Sequence, residues 1–253
     1  MKNVENPPAP IEPKEDALES QLAGGRTTTD VVRIKDTVHR SIGPNAEFSR
    51  TLLKLLEEKG FVHAPRFLGA DEQGREVLTF VEGDVPHGDV VWTDEQFVVV
   101  AQMLRAFHDA TAGSGLAQGE EVVCHNDAAP WNTVLKENVP VAFIDFDDAA
   151  PGRRVDDFAY TAWTFLGLGS DVPVSIQADK LKTMVEAYGL VEVHDLIDAI
   201  LGQQEKILAM RMDLAKNAPT QDARDFSASR IEEIRSEMAW VRENRGALEG
   251  RLT

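Results

Sequence analysis

The sequence has few residues of several types that would point to particular classes of protein. Cys124 is the single cysteine, so no disulfide can form within the chain. No apolar run is long enough to span a membrane. Residues 1–20 also lack the apolar centre of a secretory signal peptide. These absences favour a cytoplasmic location.

Basic residues are scarce as well. The chain has 26 Lys and Arg against 43 Asp and Glu, a net charge of −17. Such a surface repels nucleic acid and anionic membranes, so neither is expected as a partner. The charge would suit a cationic substrate, and solubility alone also explains it. With 253 residues, 43% of them hydrophobic, the chain can bury a substantial core as one domain or two small lobes. The composition leaves the oligomeric state open.

A short group of polar residues carries the clearest chemical signal. His125-Asn126-Asp127 is followed by Asn132, and Asp145 follows after a predicted β-hairpin. Phosphoryl transfer from ATP requires a carboxylate that orients or deprotonates the acceptor hydroxyl, and oxygen ligands that hold Mg²⁺. The spacing predicts Asp127 as the catalytic carboxylate. His125 belongs to the same catalytic set, where bracing the loop is favoured over a direct catalytic role. The same spacing predicts Asn132 and Asp145 as the metal ligands.

The surrounding sequence resembles the aminoglycoside phosphotransferase (APH) family of the protein-kinase-like superfamily. The resemblance is carried by CHNDAAPWNTVL, FIDFDDAAPG and VDDFAY, which end near Asp157. It implies an α+β, two-lobed protein-kinase-like fold, with a small β-rich N-lobe containing one helix and a larger, mainly α C-lobe. It also implies ATP and Mg²⁺ as cofactors. The expected reaction moves the γ-phosphoryl group to a small-molecule hydroxyl, and Asp157 would hydrogen-bond the catalytic loop.

The patterns along the chain fit this organisation. A Pro- and Glu-rich tail is predicted at 1–16, an N-terminal nucleotide-binding lobe at 17–83 and a C-terminal catalytic and substrate-binding lobe at 84–253. The N-lobe pattern is a hairpin within 27–40, a helix over 45–60 and two strands up to residue 81. Thr93–Gln96 is typical of a capping box that opens a helix. From Val155 onward the pattern is helical, with breaks near 167–173 and 217–220.

The nucleotide site is less well defined than the catalytic loop. Gly24 and Gly25 stand where relatives carry a phosphate-covering loop, although an ordinary hairpin turn fits equally. Arg40 is the favoured phosphate-binding cation, in place of the lysine of most relatives, with Lys35 as the alternative. Glu47 is the nearest helix glutamate that could pair with it, unless it lies on a solvated face. The backbone of Phe80 and Val81 is expected to meet the adenine edge.

Several features have simpler interpretations. Trp131 and Trp163 are predicted to pack in the core of the C-lobe, and core packing is favoured for Met210 and Met212 over lining the acceptor pocket. His108 is expected to be a packed or capping residue.

The sequence leaves the acceptor open among aminoglycosides, amino alcohols and sugars. A catalytically degenerate, kinase-like nucleotide-binding or scaffold protein is the alternative function. A protein kinase is disfavoured, because Gly152 and Asp157 follow Asp145 too closely for a long activation segment.

Overall fold

The N-terminal part of the chain is built on a five-stranded antiparallel sheet. The computed structural model describes residues 20–22, 31–86, 90–190 and 193–252. The sheet order is β1-β2-β3-β5-β4. These strands are β1 Ser20–Gln21, β2 Val32–Ile34, β3 Thr37–Arg40, β4 Phe67–Ala70 and β5 Glu76–Thr79. The predicted hairpin is confirmed for β2 and β3, whereas the predicted tail and the two glycines, Gly24 and Gly25, lie outside the described residues.

One helix, α1 (Ala46–Glu58), packs against this sheet and against the C-terminal part. Its buried positions, Leu52, Leu53 and Leu56, follow helical spacing and enter the main core. The N-cap residue Asn45 donates its side-chain amide to the carbonyls of Asp147 and Ala149, at 2.9 and 3.2 Å. The beginning of α1 is therefore fixed to the segment that follows Asp145.

The chain then crosses between the two parts through Glu82–Pro86, and this crossing is fixed by backbone pairing. The N–H and carbonyl of Asp84 bond Leu135, each at 2.8 Å. Gly83 has φ 141°, and a Cβ there would lie 2.4 Å from the Leu135 carbonyl oxygen. Glycine is required because both the backbone conformation and the close approach exclude a side chain.

The C-terminal part is mainly helical around two small sheets. Strand β6 pairs with β9, and β7 pairs with β8. The strands are β6 Val122–Cys124, β7 Thr133–Lys136, β8 Val139–Phe143 and β9 Ala150–Gly152. The helices are α2 Asp94–Thr111, α3 Arg154–Leu166, α4 Val174–Tyr188, α5 Leu196–Asn217 and α6 Gln221–Leu252.

Local sequence explains the start of α2 and the ends of α3 and α4. Thr93 and Gln96 form the predicted capping box, in which each side chain accepts a hydrogen bond from the other residue's backbone N–H. Gly167 and Gly189 end α3 and α4 in the left-handed conformation. The break after Gly189 and the strand β9 were not predicted. Over the described ranges, no helix combines the length and apolarity needed to cross a membrane.

The α+β class and the division into a β-rich and a helical lobe are confirmed. The core-packing predictions were right for Trp163, which is buried, and wrong for three other residues. Trp131 is 45% exposed, because its indole lies at the cleft beside Asp127. Met210 and Met212 are exposed because the buried face of α5 ends at Gln204.

Candidate active site

The β7–β8 hairpin brings the two predicted metal ligands together. Asn132 immediately precedes β7 and Asp145 follows β8, and the register pairs Thr133 with Phe143. The N–H of Ile144 donates to the Asn132 carbonyl at 2.9 Å. The hairpin thus places Asn132 and Asp145, which are thirteen positions apart in the sequence, at the same end of the β7–β8 ladder. Asp145 has φ 65°, a left-handed conformation that aspartate tolerates better than most residues.

Asp127 lies beside Asn132 and is held on both carboxylate oxygens. Its Oδ1 accepts from the Tyr160 hydroxyl at 2.6 Å and from Trp131 Nε1 at 3.3 Å. Its Oδ2 accepts from Asn132 Nδ2 at 2.6 Å. Burial and the charges of Asp148 and Asp145 raise the pKa of Asp127 to about 6, although the hydrogen bond from Tyr160 lowers it. At neutral pH the carboxylate is ionised and can accept a proton.

His125 lies behind this carboxylate and does not face the cleft. Its side chain is fully buried, with its ring 4.5 Å from that of Phe146, next to Asp145. Burial lowers the pKa of His125, so the ring is neutral. The Asp127 N–H points to His125 Nδ1 at 3.3 Å, which makes Nδ1 the acceptor nitrogen. This position suits a bracing role.

Asp157 holds the backbone of the same loop. Its buried carboxylate accepts from the N–H groups of His125 and Asn126, at 2.7 and 2.8 Å. It also pairs with His108 Nε2 at 2.9 Å, and His108 Nδ1 bonds the Tyr188 hydroxyl. Burial alone would raise the pKa of Asp157, but hydrogen bonds from the two histidines outweigh it and lower this pKa. His108 is therefore a packed residue, as the sequence predicted.

Replacing Asp157 with asparagine is expected to lower the free energy of unfolding by about 3 kcal/mol at pH 7, because buried donors lose a charged acceptor. The folded-state pKa of Asp157 lies below its ordinary value of 3.8. Its stabilisation is therefore present above that value and is lost as the pH falls below it. Urea titrations of the unmutated protein and Asp157→Asn at pH 7 and near pH 3 measure this loss. The difference in free energy of unfolding between the two proteins should be smaller near pH 3. Asp156→Asn, at the half-exposed neighbouring carboxylate, is the control. A difference independent of pH would contradict this account.

Arg40 lies at the end of β3 and points into the cleft. Its guanidinium pairs with Asp147 at 2.6 and 3.2 Å and reaches Asp145 Oδ1 at 3.4 Å. Its Nε donates to Glu76, which faces it across the β3–β5 ladder. The alternative cation, Lys35, is exposed in the turn between β2 and β3. Of the two cations weighed from the sequence, Arg40 is the one beside Asp145.

The carboxylate that pairs with Arg40 differs from the expected one. Glu47 is exposed on the first turn of α1, because the face of that helix turned toward the site carries Ser49 and Arg50. The buried Glu76 takes its place, bridging Arg40 and Arg50 at 3.0 and 2.6 Å. Sequence reasoning missed this residue, since the pairing of β3 with β5 was not predicted.

Phe80 and Val81 lie directly after β5, at the crossing between the lobes. The Phe80 N–H donates to the Asp36 carbonyl at 2.8 Å, and the Arg33 guanidinium lies 3.6 Å from the Phe80 ring centroid. Both residues are half-buried. Contact between their backbone and an adenine ring stays a prediction.

The donor set at this end of the hairpin fits a magnesium ion. The side-chain amide nitrogen of Asn132 is committed to Asp127, which leaves the amide oxygen as the possible ligand. Burial and the neighbouring charges of Asp147 and Asp148 raise the pKa of Asp145, although Arg40 opposes them. A local excess of carboxylate charge favours a hard cation with oxygen ligands.

Comparisons with known proteins find related sequences. The model of the phosphotransferase enzyme family (APH) matches residues 99–192. The trifolitoxin immunity protein of Rhizobium leguminosarum bv. trifolii is 36% identical over 194 residues, 66% of this chain and 72% of that protein.

Solved structures show the same fold at low sequence identity. An ethanolamine kinase of Plasmodium vivax has a TM-score of 0.63 at 13% identity, covering 87% of this chain and 83% of that one. The GDP complex of aminoglycoside 2'-phosphotransferase-IIIa has a TM-score of 0.61 at 13% identity, covering 89% and 94%. The matched sequences place the chain in the APH family of phosphotransferase enzymes, and the solved structures show its protein-kinase-like fold.

Proposed function

We propose that this phosphotransferase uses Mg·ATP and transfers the γ-phosphoryl group to a hydroxyl of a small molecule. The observation that carries the proposal is the convergence of Asp127, Asn132, Asp145 and Arg40 at the junction of the lobes. A scaffold protein that had lost turnover would have no need of this complete set.

The reaction assigns a distinct task to each residue. Asp127 accepts the proton of the acceptor hydroxyl as its O–H bond breaks. The hydroxyl oxygen of the acceptor then bonds to the γ-phosphorus. The bond from that phosphorus to the β–γ bridging oxygen breaks, and ADP leaves. Asn132 and Asp145 would hold Mg²⁺, which when bound supplies positive charge against the phosphates. Arg40 would bind a phosphate oxygen, and His125 keeps the loop in place.

The cleft around Asp127 gives some indication of the acceptor. Trp131 presents an indole that is 45% exposed, and Asp148 is exposed nearby. Aromatic faces and carboxylates together favour a cationic or amino-bearing acceptor. Aminoglycosides, amino alcohols and amino sugars share this chemistry.

A second candidate acceptor follows from the similarity to the immunity protein, which is named for trifolitoxin. We infer, as this second candidate, that the substrate of the present chain is a toxic compound that phosphorylation inactivates. Growth of a sensitive bacterium expressing the unmutated chain or Asp127→Asn, with and without candidate toxins, tests this. Protection that needs Asp127 would support the toxin as substrate, and equal protection by both would contradict it.

A coupled ADP-release assay tests the proposed reaction directly. The unmutated protein is incubated with Mg·ATP, or Mg·GTP, and a panel of aminoglycosides, amino alcohols and sugars. Turnover stimulated by one class, and lost in Asp127→Asn, is the expected result. Failure to bind either nucleotide would overturn the proposal. Binding without acceptor-dependent or basal hydrolysis would favour the degenerate alternative.

Replacing Arg40 with alanine is expected to raise the KM for ATP about ten- to a hundredfold, because one charge-assisted contact to phosphate is lost. Initial rates at saturating acceptor measure the change. Arg50→Ala is the matched control, since Arg50 shares Glu76 and has no described contact with Asp145 or Asp147. An unchanged KM in Arg40→Ala would mean that another cation binds the phosphates.

A further inference from the structure

The two oxygens of the Asp127 carboxylate are unequally occupied. Among the described residues, Oδ1 accepts two hydrogen bonds, from Tyr160 and Trp131, whereas Oδ2 accepts one side-chain bond, from Asn132. A carboxylate offers about two acceptor positions on each oxygen. Both hydrogen-bond acceptor positions of Oδ1 are therefore taken, and Oδ2 keeps one position for the hydroxyl of the acceptor substrate.

We propose that Tyr160 is a positioning residue, which fixes the rotation of the Asp127 carboxylate so that Oδ2 faces the acceptor. This inference rests on the proposed function and adds to it the residue that orients the proton acceptor. The 2.6 Å bond from a hydroxyl to a carboxylate is of the short, charge-assisted kind. The Trp131 bond, at 3.3 Å from a half-exposed ring, is the weaker of the two.

The placement of Tyr160 on α3 makes this contact rigid. Tyr160 follows Asp157 by three residues, so the two side chains lie on one face of the helix. Asp157 holds the backbone of the catalytic loop, and Tyr160 holds the Asp127 side chain of the same loop. A single helix face thus fixes both the path of the loop and the orientation of its carboxylate.

Packing keeps Tyr160 in this conformation and away from the acceptor. The residue is 6% exposed, and its ring lies edge-on to Trp163 with centroids 5.9 Å apart. The indole N–H of Trp163 donates to Glu237 of α6 at 2.9 Å, which anchors the pair to the C-terminal helix. Tyr160 therefore acts through Asp127, without touching the substrate.

Tyr160→Phe removes only the hydroxyl and tests the proposal. We expect kcat to fall about tenfold to a hundredfold, the effect of slightly misplacing a reacting group. KM for ATP should stay within about twofold, because the nucleotide contacts are elsewhere. Thr161→Val is the matched control: it removes the neighbouring hydroxyl on α3, which is buried and has no hydrogen-bond partner among the described residues. It should leave kcat near that of the unmutated protein.

A double-mutant cycle separates positioning from a general structural effect. In the Asp127→Asn background, Tyr160→Phe should change the residual kcat less than about twofold, because no catalytic carboxylate remains to be oriented. The same comparison is made for slow hydrolysis of Mg·ATP by water, so the test does not depend on identifying the acceptor.

The outcomes distinguish this inference from the proposed function. Unmutated turnover with no loss in Tyr160→Phe would overturn the positioning role alone. An equal loss in the Asp127→Asn background would also overturn it, because Tyr160 would then act independently of Asp127. Absence of any nucleotide turnover in the unmutated protein would overturn the proposed function, and this inference with it.

Discussion

Asp127→Asn is expected to lower kcat about 10³-fold while leaving the affinity for Mg·ATP within a few-fold. The side-chain amide of the new asparagine cannot take a proton from the acceptor. Its nitrogen would also face a hydrogen-bond donor on either side, the Tyr160 hydroxyl at the Oδ1 position or the Asn132 amide at the Oδ2 position. Steady-state kinetics with fluorescent-nucleotide displacement measure the two quantities separately. Equal losses of kcat and nucleotide affinity would mean that Asp127 acts in binding.

The pH dependence of this prediction follows from the environment of Asp127. Its pKa is raised to about 6, so the fraction able to accept a proton falls as the pH drops through that value. The turnover of the unmutated protein should therefore decline below about pH 6, and the residual turnover of Asp127→Asn should not. Asp156→Asn is the charge-matched control, because Asp156 pairs with Arg153 and has no described bond to Asp127. Its turnover should decline below about pH 6 as that of the unmutated protein does.

Asp145→Asn is expected to lower kcat/KM for Mg·ATP about 10²- to 10³-fold, since a charged metal ligand is worth several kcal/mol. Asparagine is preferred to alanine because the backbone at φ 65° would strain an alanine. Rates measured over a Mg²⁺ titration should reach half-maximum at higher concentration than in the unmutated protein. Asp156→Asn again serves as the control. A Mg²⁺ dependence identical in all three proteins would remove Asp145 from the metal site.

This substitution should not cost stability, which separates function from folding. Burial and the charges of Asp147 and Asp148 raise the pKa of Asp145, so its ionised form is disfavoured in the folded state. Removing the charge relieves that repulsion at neutral pH. We therefore expect the unfolding temperature of Asp145→Asn to equal or exceed that of the unmutated protein. A marked decrease would mean that the pairing of Asp145 with Arg40 is needed for folding.

Much of the catalytic loop could be predicted because its geometry is local. The hairpin that joins Asn132 to Asp145 is encoded by two β-branched segments and a polar turn, and its register follows from that short connection. The glycine ends of α3 and α4 and the capping box of α2 are local in the same way. The break at Gly167 and the capping box were predicted, whereas the break at Gly189 was overlooked.

The partners of these residues could not be predicted, because they come from distant parts of the chain. Glu76 and Asp147 are 36 and 107 residues from Arg40, and the expectation for Glu47 failed because a helix pattern does not say which neighbour a face meets. Trp131 was predicted to pack in the core, whereas its N–H bonds Asp127 at the cleft.

By itself, the sequence determined the order of chemical groups along the catalytic loop, since phosphoryl transfer restricts which residue types can stand at that spacing. The tertiary structure decided which groups surround them. Tyr160 shows the difference most clearly, since it lies 33 residues from Asp127 and was given no role from the sequence. Only the packing of α3 against the loop brings its hydroxyl to the carboxylate, because side chains from separate elements meet only once the core between those elements has formed.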